Sequence, residues 1–184
     1  MKIKTRHKIK KSKVKHLIEE IKTSLNIDIT TFLKDKNIEI AEFDGQMLII
    51  IDRMPAFFLV DHRLLPTLKG IMHLDIKQPE VVVDSGAVSF IVNGANVMAP
   101  GIIEADESIQ TGDIVVITEE RYGKPLAIGE ALKDGTDMVN SQGRAVKSIH
   151  HVGDKIWKLE LISRCMMPLM LAGAGGQLWL AFGQ

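Results

Sequence analysis

The sequence predicts an α+β protein built from two small domains that meet near Pro79. Three observations carry this expectation. A chain of 184 residues suits one large or two small domains, and 46% hydrophobic with 25% charged residues is a globular composition. Its apolar residues alternate between helical spacing and short β-branched runs punctuated by Gly and Pro. Its charge sums to zero but is divided, with 15 Lys/Arg against 10 Asp/Glu in residues 1–78 and 7 against 12 in residues 79–158. Attraction to phosphate is therefore expected mainly from the N-terminal half.

The elements of the first half follow in order. Residues 1–15 contain eight Lys/Arg and no acid, and Lys2, Lys4, Arg6, Lys8 and Lys10 alternate with Ile3, Thr5, His7 and Ile9. As a strand this would present one cationic face, suited to a polyanion or simply to solvent at a sheet edge. Ser12 reads as an N-cap for a helix whose stripe is Val14, Leu17, Ile18, Ile21 and Leu25. Ile38–Phe43 and Gln46–Ile51, joined by Asp44-Gly45, read as a hairpin. Phe57–Val60 reads as a strand after a Met54-Pro55 break, with Asp61 capping a brief helix through Leu64, Leu65 and Leu68.

The second half holds the most informative run. Val81-Val82-Val83 is a buried-strand pattern. Asp84-Ser85 can cap a helix whose apolar side is Val88, Phe90, Ile91 and Val92, and Gly86-Ala87 is small enough to lie close to a sheet. Asn93-Gly94 supplies a left-handed stop, Ala95–Met98 continues extended, and Pro100-Gly101 breaks the chain again. Beyond it come Gly112-Asp113 before Ile114–Ile117, then Gly129, then Gly143-Arg144-Ala145-Val146, and last Gly153-Asp154-Lys155-Ile156-Trp157.

This succession resembles the PUA domain, the small RNA-binding barrel named after pseudouridine synthases and archaeosine transglycosylases, over Val81–Leu159. Together with the Asp44-Gly45 hairpin and Leu65-Pro66-Thr67-Leu68, it is similar to the translation-machinery-associated PUA proteins of archaea and eukaryotes, the malignant-T-cell-amplified family. Ala99 stands where eukaryotic members tend to carry Cys. The resemblance implies an α/β pre-PUA domain at 1–78, a PUA β-barrel with short helices at 79–159, and a tail at 160–184. It also implies work on the small ribosomal subunit with a translation-factor partner, engaging tRNA. PUA domains receive RNA beside the first helix and the glycine loop. On this chain that points to Asn93, Gly94, Ala95, Asn96, Val97 and Met98, with main-chain N–H groups as donors where side chains are absent.

In the turn Arg121-Tyr122-Gly123-Lys124, Arg121 and Lys124 are candidates to hold phosphate. Tyr122 reads either as a base-stacking ring or as an ordinary turn aromatic. Lys4, Arg6, Lys8 and Lys10 would add a sequence-blind contact. Three functions stay open. The first is non-catalytic recognition of tRNA or rRNA, the tRNA acceptor end foremost. The others are an adaptor docking its acidic barrel on a ribosomal protein or translation factor, and an accessory subunit of an RNA-modifying enzyme.

No enzyme signature, cofactor or metal site is expected. There is no phosphate loop, and Gly173-Ala174-Gly175-Gly176 does not extend to a dinucleotide fingerprint. The six histidines lack zinc-ligand spacing, and the neighbours His150 and His151 would face opposite ways on a strand. Asp52 and Asp61 read as solvated rather than as a catalytic pair. Cys165 has no cysteine partner, and the basic start lacks a secretory apolar core, so the cytoplasm is the default. Residues 165–184 are uncharged and long enough for a membrane span, but Pro168, four glycines and Gln177 argue against one.

Overall fold

The computed structural model describes residues 3–9, 11–25, 30–33 and 36–161. Lys2, Lys10 and the tail from residue 162 onward, with its Cys165, lie outside them. Among the described residues no helix is long and apolar enough to cross a membrane.

The N-terminal sheet is antiparallel throughout, in the order β1 (Ile3–Lys8), β2 (Ile38–Phe43), β3 (Gln46–Ile51), β4 (Met54–Val60), β5 (Arg63–Pro66). Helix α1 (Lys11–Leu25) and the single turn α2 (Thr30–Leu33) fill the crossover from β1 to β2. α1 begins one residue ahead of Ser12, which therefore lies inside the helix. Leu17 and Ile21 of its stripe are buried against Ile49, Ile51, Phe57 and Leu64.

Three hairpins in succession turn on two residues. Asp44-Gly45, Asp52-Arg53 and Asp61-His62 all have positive φ, as the tight primed turns require. This corrects two expectations. Asp61 caps no helix, since Leu64 and Leu65 belong to β5. Met54-Pro55 lies within β4, because the β3–β4 register shifts there and the bulge tolerates a residue with no N–H.

Helix α3 (Leu68–Leu74) is fixed by Thr67 instead. Its hydroxyl accepts from Gly70 N at 2.8 Å and donates to Pro55 O at 2.7 Å. A Cβ on Gly70 would lie 2.2 Å from Ala56 O, so only glycine lets α3 sit this close to β4.

The second sheet has the order β7 (Val97–Met98), β11 (Arg144–His151), β10 (Pro125–Ala131), β9 (Ile114–Glu119), β6 (Glu80–Val83), β8 (Ile102–Ala105). Its outermost strands, β7 and β8, are consecutive in the chain and joined only by the 3-10 turn Ala99–Gly101. Three residues span on the order of 10 Å, so the sheet must curl until its two edges come together. The result is nearly a closed barrel. Helix α4 (Ser85–Ile91) links β6 to β7 and packs Ala87, Val88 and Ile91 on the core of this sheet. The core inside is Val81, Val83, Ile91, Val97, Val115, Ile117 and Val146 with their neighbours.

A third apolar cluster joins the two sheets. Phe43, Leu48, Ile50, Phe58, Leu65 and Leu68 from the first half pack on Ile114, Ile128 and Ile156 from the second. Arg63 donates to Glu130 and to Gly112 O, both at 3.1 Å, and Lys155 pairs with Asp44 at the rim. Because Phe58 is fully buried in this seam, Phe58→Ala is expected to cost about 3–5 kcal/mol. Urea denaturation followed by circular dichroism checks this. The lowered midpoint should appear as one transition for both halves.

Candidate nucleic-acid interface

The site is built around α4. Asp84 caps its start, accepting from Ala87 N at 2.7 Å, and Glu120 accepts from Ser85 N at 3.0 Å. The second bond ties the β9–β10 turn to the helix. At the other end Asn93 donates to Ser89 O at 2.7 Å, and Gly94 (φ +86) reverses the chain. Gly94 N donates to Ile91 O at 2.9 Å and Ala95 N to Phe90 O at 3.0 Å.

Those two bonds correct the expectation about donors, because both main-chain N–H groups at the glycine loop already serve the helix cap. The space beside Gly94 is not open either. A Cβ there would sit 2.9 Å from His151 Nε2, and His151 Nδ1 lies 3.0 Å from Val152 O. Gly94 is accounted for by its left-handed backbone and by the imidazole against it.

The open space lies on the other side of the loop. A groove of about 440 Å³ runs between α4 and β7, walled by Ala87, Phe90, Ala95, Met98 and Pro100. Phe90 was expected on the apolar side of the helix, but it is 67% exposed and forms a rim, while Val88, Ile91 and Val92 face the core. Met98 faces it at 48% exposure. Val97 is buried beneath. Asn96, the polar residue of the floor, is engaged: its Oδ1 accepts from Ser148 N at 3.0 Å, pinning β11.

The turn of Arg121, Tyr122 and Lys124 is held from below by Glu119. Its carboxylate accepts from the main-chain N–H groups of Arg121 (2.9 Å), Tyr122 (2.6 Å) and Lys124 (3.3 Å). Burial alone would raise this carboxyl, but the three donors hold it below the ordinary value. Tyr122 stands 77% exposed with Lys124 Nζ 5.3 Å from its ring centre. The turn is thus a rigid platform carrying one aromatic face and two cations beside the start of α4.

The cationic strand is less free than its alternation implied. Lys4 bonds Glu42 at 3.1 Å and Arg6 bonds Glu39 at 2.7 Å, across a β1–β2 register in which Glu42 stands opposite Thr5 and Glu39 opposite Lys8. Lys8 is exposed on the same strand.

The closing turn has its own hub. Asp154 Oδ2 lies 2.5 Å from His150 Nδ1 and accepts from His151 N, while Oδ1 accepts from Trp157 N at 2.8 Å. His150 is fully buried with its ring edge-on to Phe58 at 5.5 Å, so the two neighbouring histidines do face opposite ways. Among the described residues no cluster of metal-ligating side chains is present. Asp52, read as solvated, accepts from Asn37 N and pairs with Lys36, both at 2.9 Å.

This fold and site define a PUA-domain protein. The PUA domain model matches residues 79–153, and a domain of unknown function, DUF1947, matches residues 5–74. An uncharacterized protein of Methanocaldococcus jannaschii is 40% identical over 87% of this chain and 99% of its own length. The Translation machinery-associated protein 20 of Saccharomyces cerevisiae is 34% identical over 70% of this chain and 75% of its own. The chain belongs to the family of translation machinery-associated protein 20, which the malignant T-cell-amplified sequences share. A hypothetical protein of Pyrococcus horikoshii OT3 has the same architecture, with 39% identity, a TM-score of 0.72, and coverage of 85% of this chain and all of its own. A PUA domain of Aeropyrum pernix K1, solved as a tartrate complex, matches at 26% identity and TM-score 0.72 over 83% of this chain and 89% of its own.

Burial works against the charge on Asp154, but the bonds from His150, Trp157 and His151 outweigh it and hold its carboxyl below the ordinary range. A depressed folded value contributes stability above the unfolded value, about 3.9, and loses it as pH falls through the folded one. Thermal melts should therefore show the gap between wild type and Asp154→Asn widest above about pH 5 and narrowing below about pH 4.

Proposed function

We propose that this protein is a non-catalytic RNA-binding protein that recognises structured RNA, the acceptor end of tRNA foremost, in a translation or ribosome-associated role in the cytoplasm. The observation that carries the reading is the groove between α4 and β7, with the Tyr122 platform tied to the same helix. The PUA class itself suggests RNA binding, and the yeast relative's name associates that protein with the translation machinery. The proposal takes residues 1–78 and 79–159 as two units with distinct tasks.

In this reading Asn93, Gly94, Ala95, Asn96, Val97 and Met98 shape the receiving edge, Gly94 through conformation rather than as an open notch. Arg121 and Lys124 hold phosphate beside a base stacked on Tyr122. Lys4, Arg6, Lys8 and Lys10 give a second contact that attracts any polyanion. Lys4 and Arg6 must share their charge with Glu42 and Glu39, so each contributes less than an isolated cation would.

The division of labour is testable by filter binding of tRNA across a salt series. Ala95 is exposed and borders the groove, so Ala95→Trp fills it without straining the left-handed Gly94. Affinity should fall about tenfold or more with the salt slope unchanged, since no cation is removed. Replacing Lys4, Arg6 and Lys8 together by Gln should instead flatten the slope by roughly one or two. Equal slopes in both variants would contradict the assignment.

A second reading rests on the acid excess of residues 79–158, exposed at Glu104, Asp106 and Glu107 beside β8. That surface suits a basic protein partner. Wild-type protein binding tRNA no better than a neutral control would favour it.

A further inference from the structure

A second cleft, of about 620 Å³, opens where the two domains meet. One side is the turn from β2 to β3, with Asp44 and Gln46. The other is the end of β11 and the closing turn, with His151, Asp154, Lys155 and Lys158.

The acids of this lining are already engaged. Asp154 meets His150 Nδ1 and accepts from the main-chain N–H groups of His151 and Trp157. Asp44 pairs with Lys155 across the seam. The groups left uncommitted are donors. Lys158 is exposed, and among the described residues its side chain makes no hydrogen bond or ion pair. Lys155 spends only part of its donor capacity on Asp44. The half-buried Gln46 brings a side-chain amide that has no partner among the described residues. His151 is fixed at the inner edge, its Nδ1 lying 3.0 Å from Val152 O and its Nε2 turned to Gly94.

Ammonium and amide donors that converge from two domains, with every neighbouring carboxylate occupied, suit an anion with acceptor oxygens on several sides. Phosphate is such an anion, and an ammonium meets it as a point charge without demanding a planar fork. We infer that the cleft is an inter-domain phosphate site, in which Lys155 and Lys158 hold a backbone phosphate of the bound RNA and the Gln46 amide donates to it. The inference rests on the RNA-binding reading above and deepens it, because the RNA then crosses the seam and touches both domains at one point. The phosphate of a free nucleotide has the same chemistry, and the test separates the two sources.

The test uses the full chain, with filter binding of tRNA across a salt series and thermal melts in millimolar adenosine monophosphate. Lys158→Gln should weaken tRNA binding about fivefold at physiological salt and lower the salt slope by about one. Gln46→Ala should weaken it about threefold with the slope unchanged, since the amide carries no charge. Lys77→Gln removes an exposed cation that pairs with Asp75 outside the cleft, and should change neither quantity. Adenosine monophosphate should raise the melting temperature of wild type no more than that of Lys158→Gln. Melts without nucleotide verify that each variant folds. A wild-type slope in Lys158→Gln, or an equal fall in Lys77→Gln, overturns this inference while the broader RNA reading stands. A nucleotide-induced melting shift that Lys158→Gln abolishes, with tRNA binding unaffected, assigns the cleft to free nucleotides and overturns it as well. Failure of wild type to bind tRNA overturns both readings.

Discussion

The contact of Phe58 with His150 is the point on which the two halves of the molecule turn. One ring comes from β4 and the other from β11, and both are fully buried. His150 is tolerable there because Asp154 meets its Nδ1, and Asp154 is in turn held by the main-chain N–H groups of His151 and Trp157. Among the described residues its Nε2 has no hydrogen-bond partner. That unpaired atom costs the seam free energy, which the apolar packing around Phe58 must offset. Around it Leu48, Ile50, Leu65 and Leu68 meet Ile114, Ile128 and Ile156, so the interface has the composition of a domain interior.

That seam has a consequence for the candidate site. Strand β11 carries His150 inward to the seam and His151 outward to Gly94, while its earlier residues Arg144 and Ser148 face β7 and Asn96. One strand therefore registers the glycine loop, the groove rim and the neighbouring domain.

Much of this was legible in the sequence, and the remainder was hidden for identifiable reasons. The hairpin Ile38–Ile51 declared itself because Asp44-Gly45 is the strongest short-range turn signal. The next two turns use Asp52-Arg53 and Asp61-His62, with no glycine, and residues with Cβ atoms rarely occupy that backbone. So a strand read as a helix, and a bulge that admits Pro55 read as a break. At the site, the cap residues Asp84 and Asn93-Gly94 could be placed by chemistry alone. What composition could not show is tertiary: that His151 fills the side of Gly94, that Phe90 turns outward, and that glutamates of β2 meet Lys4 and Arg6. Only for that last pair was there a sequence signal, since Glu39 and Glu42 stand on the strand beside the basic one.

The distribution of charge also separates two kinds of recognition. Cations on β1 work at long range and fade with salt, and their partial neutralisation by Glu39 and Glu42 weakens indiscriminate attraction. In the proposed function the groove beside α4 works at contact distance, through largely apolar walls in which Asp84 Oδ1 and Asn96 Oδ1 accept from main-chain N–H groups. A surface acidic in sum repels a polyanion that lacks the features to enter the groove. It penalises much less one that reaches the Tyr122 platform and the rim beside Met98. The acid excess of the barrel, which weighs against strong binding by the domain alone, is thus compatible with the proposed function, in which the N-terminal strand supplies encounter and the barrel supplies choice.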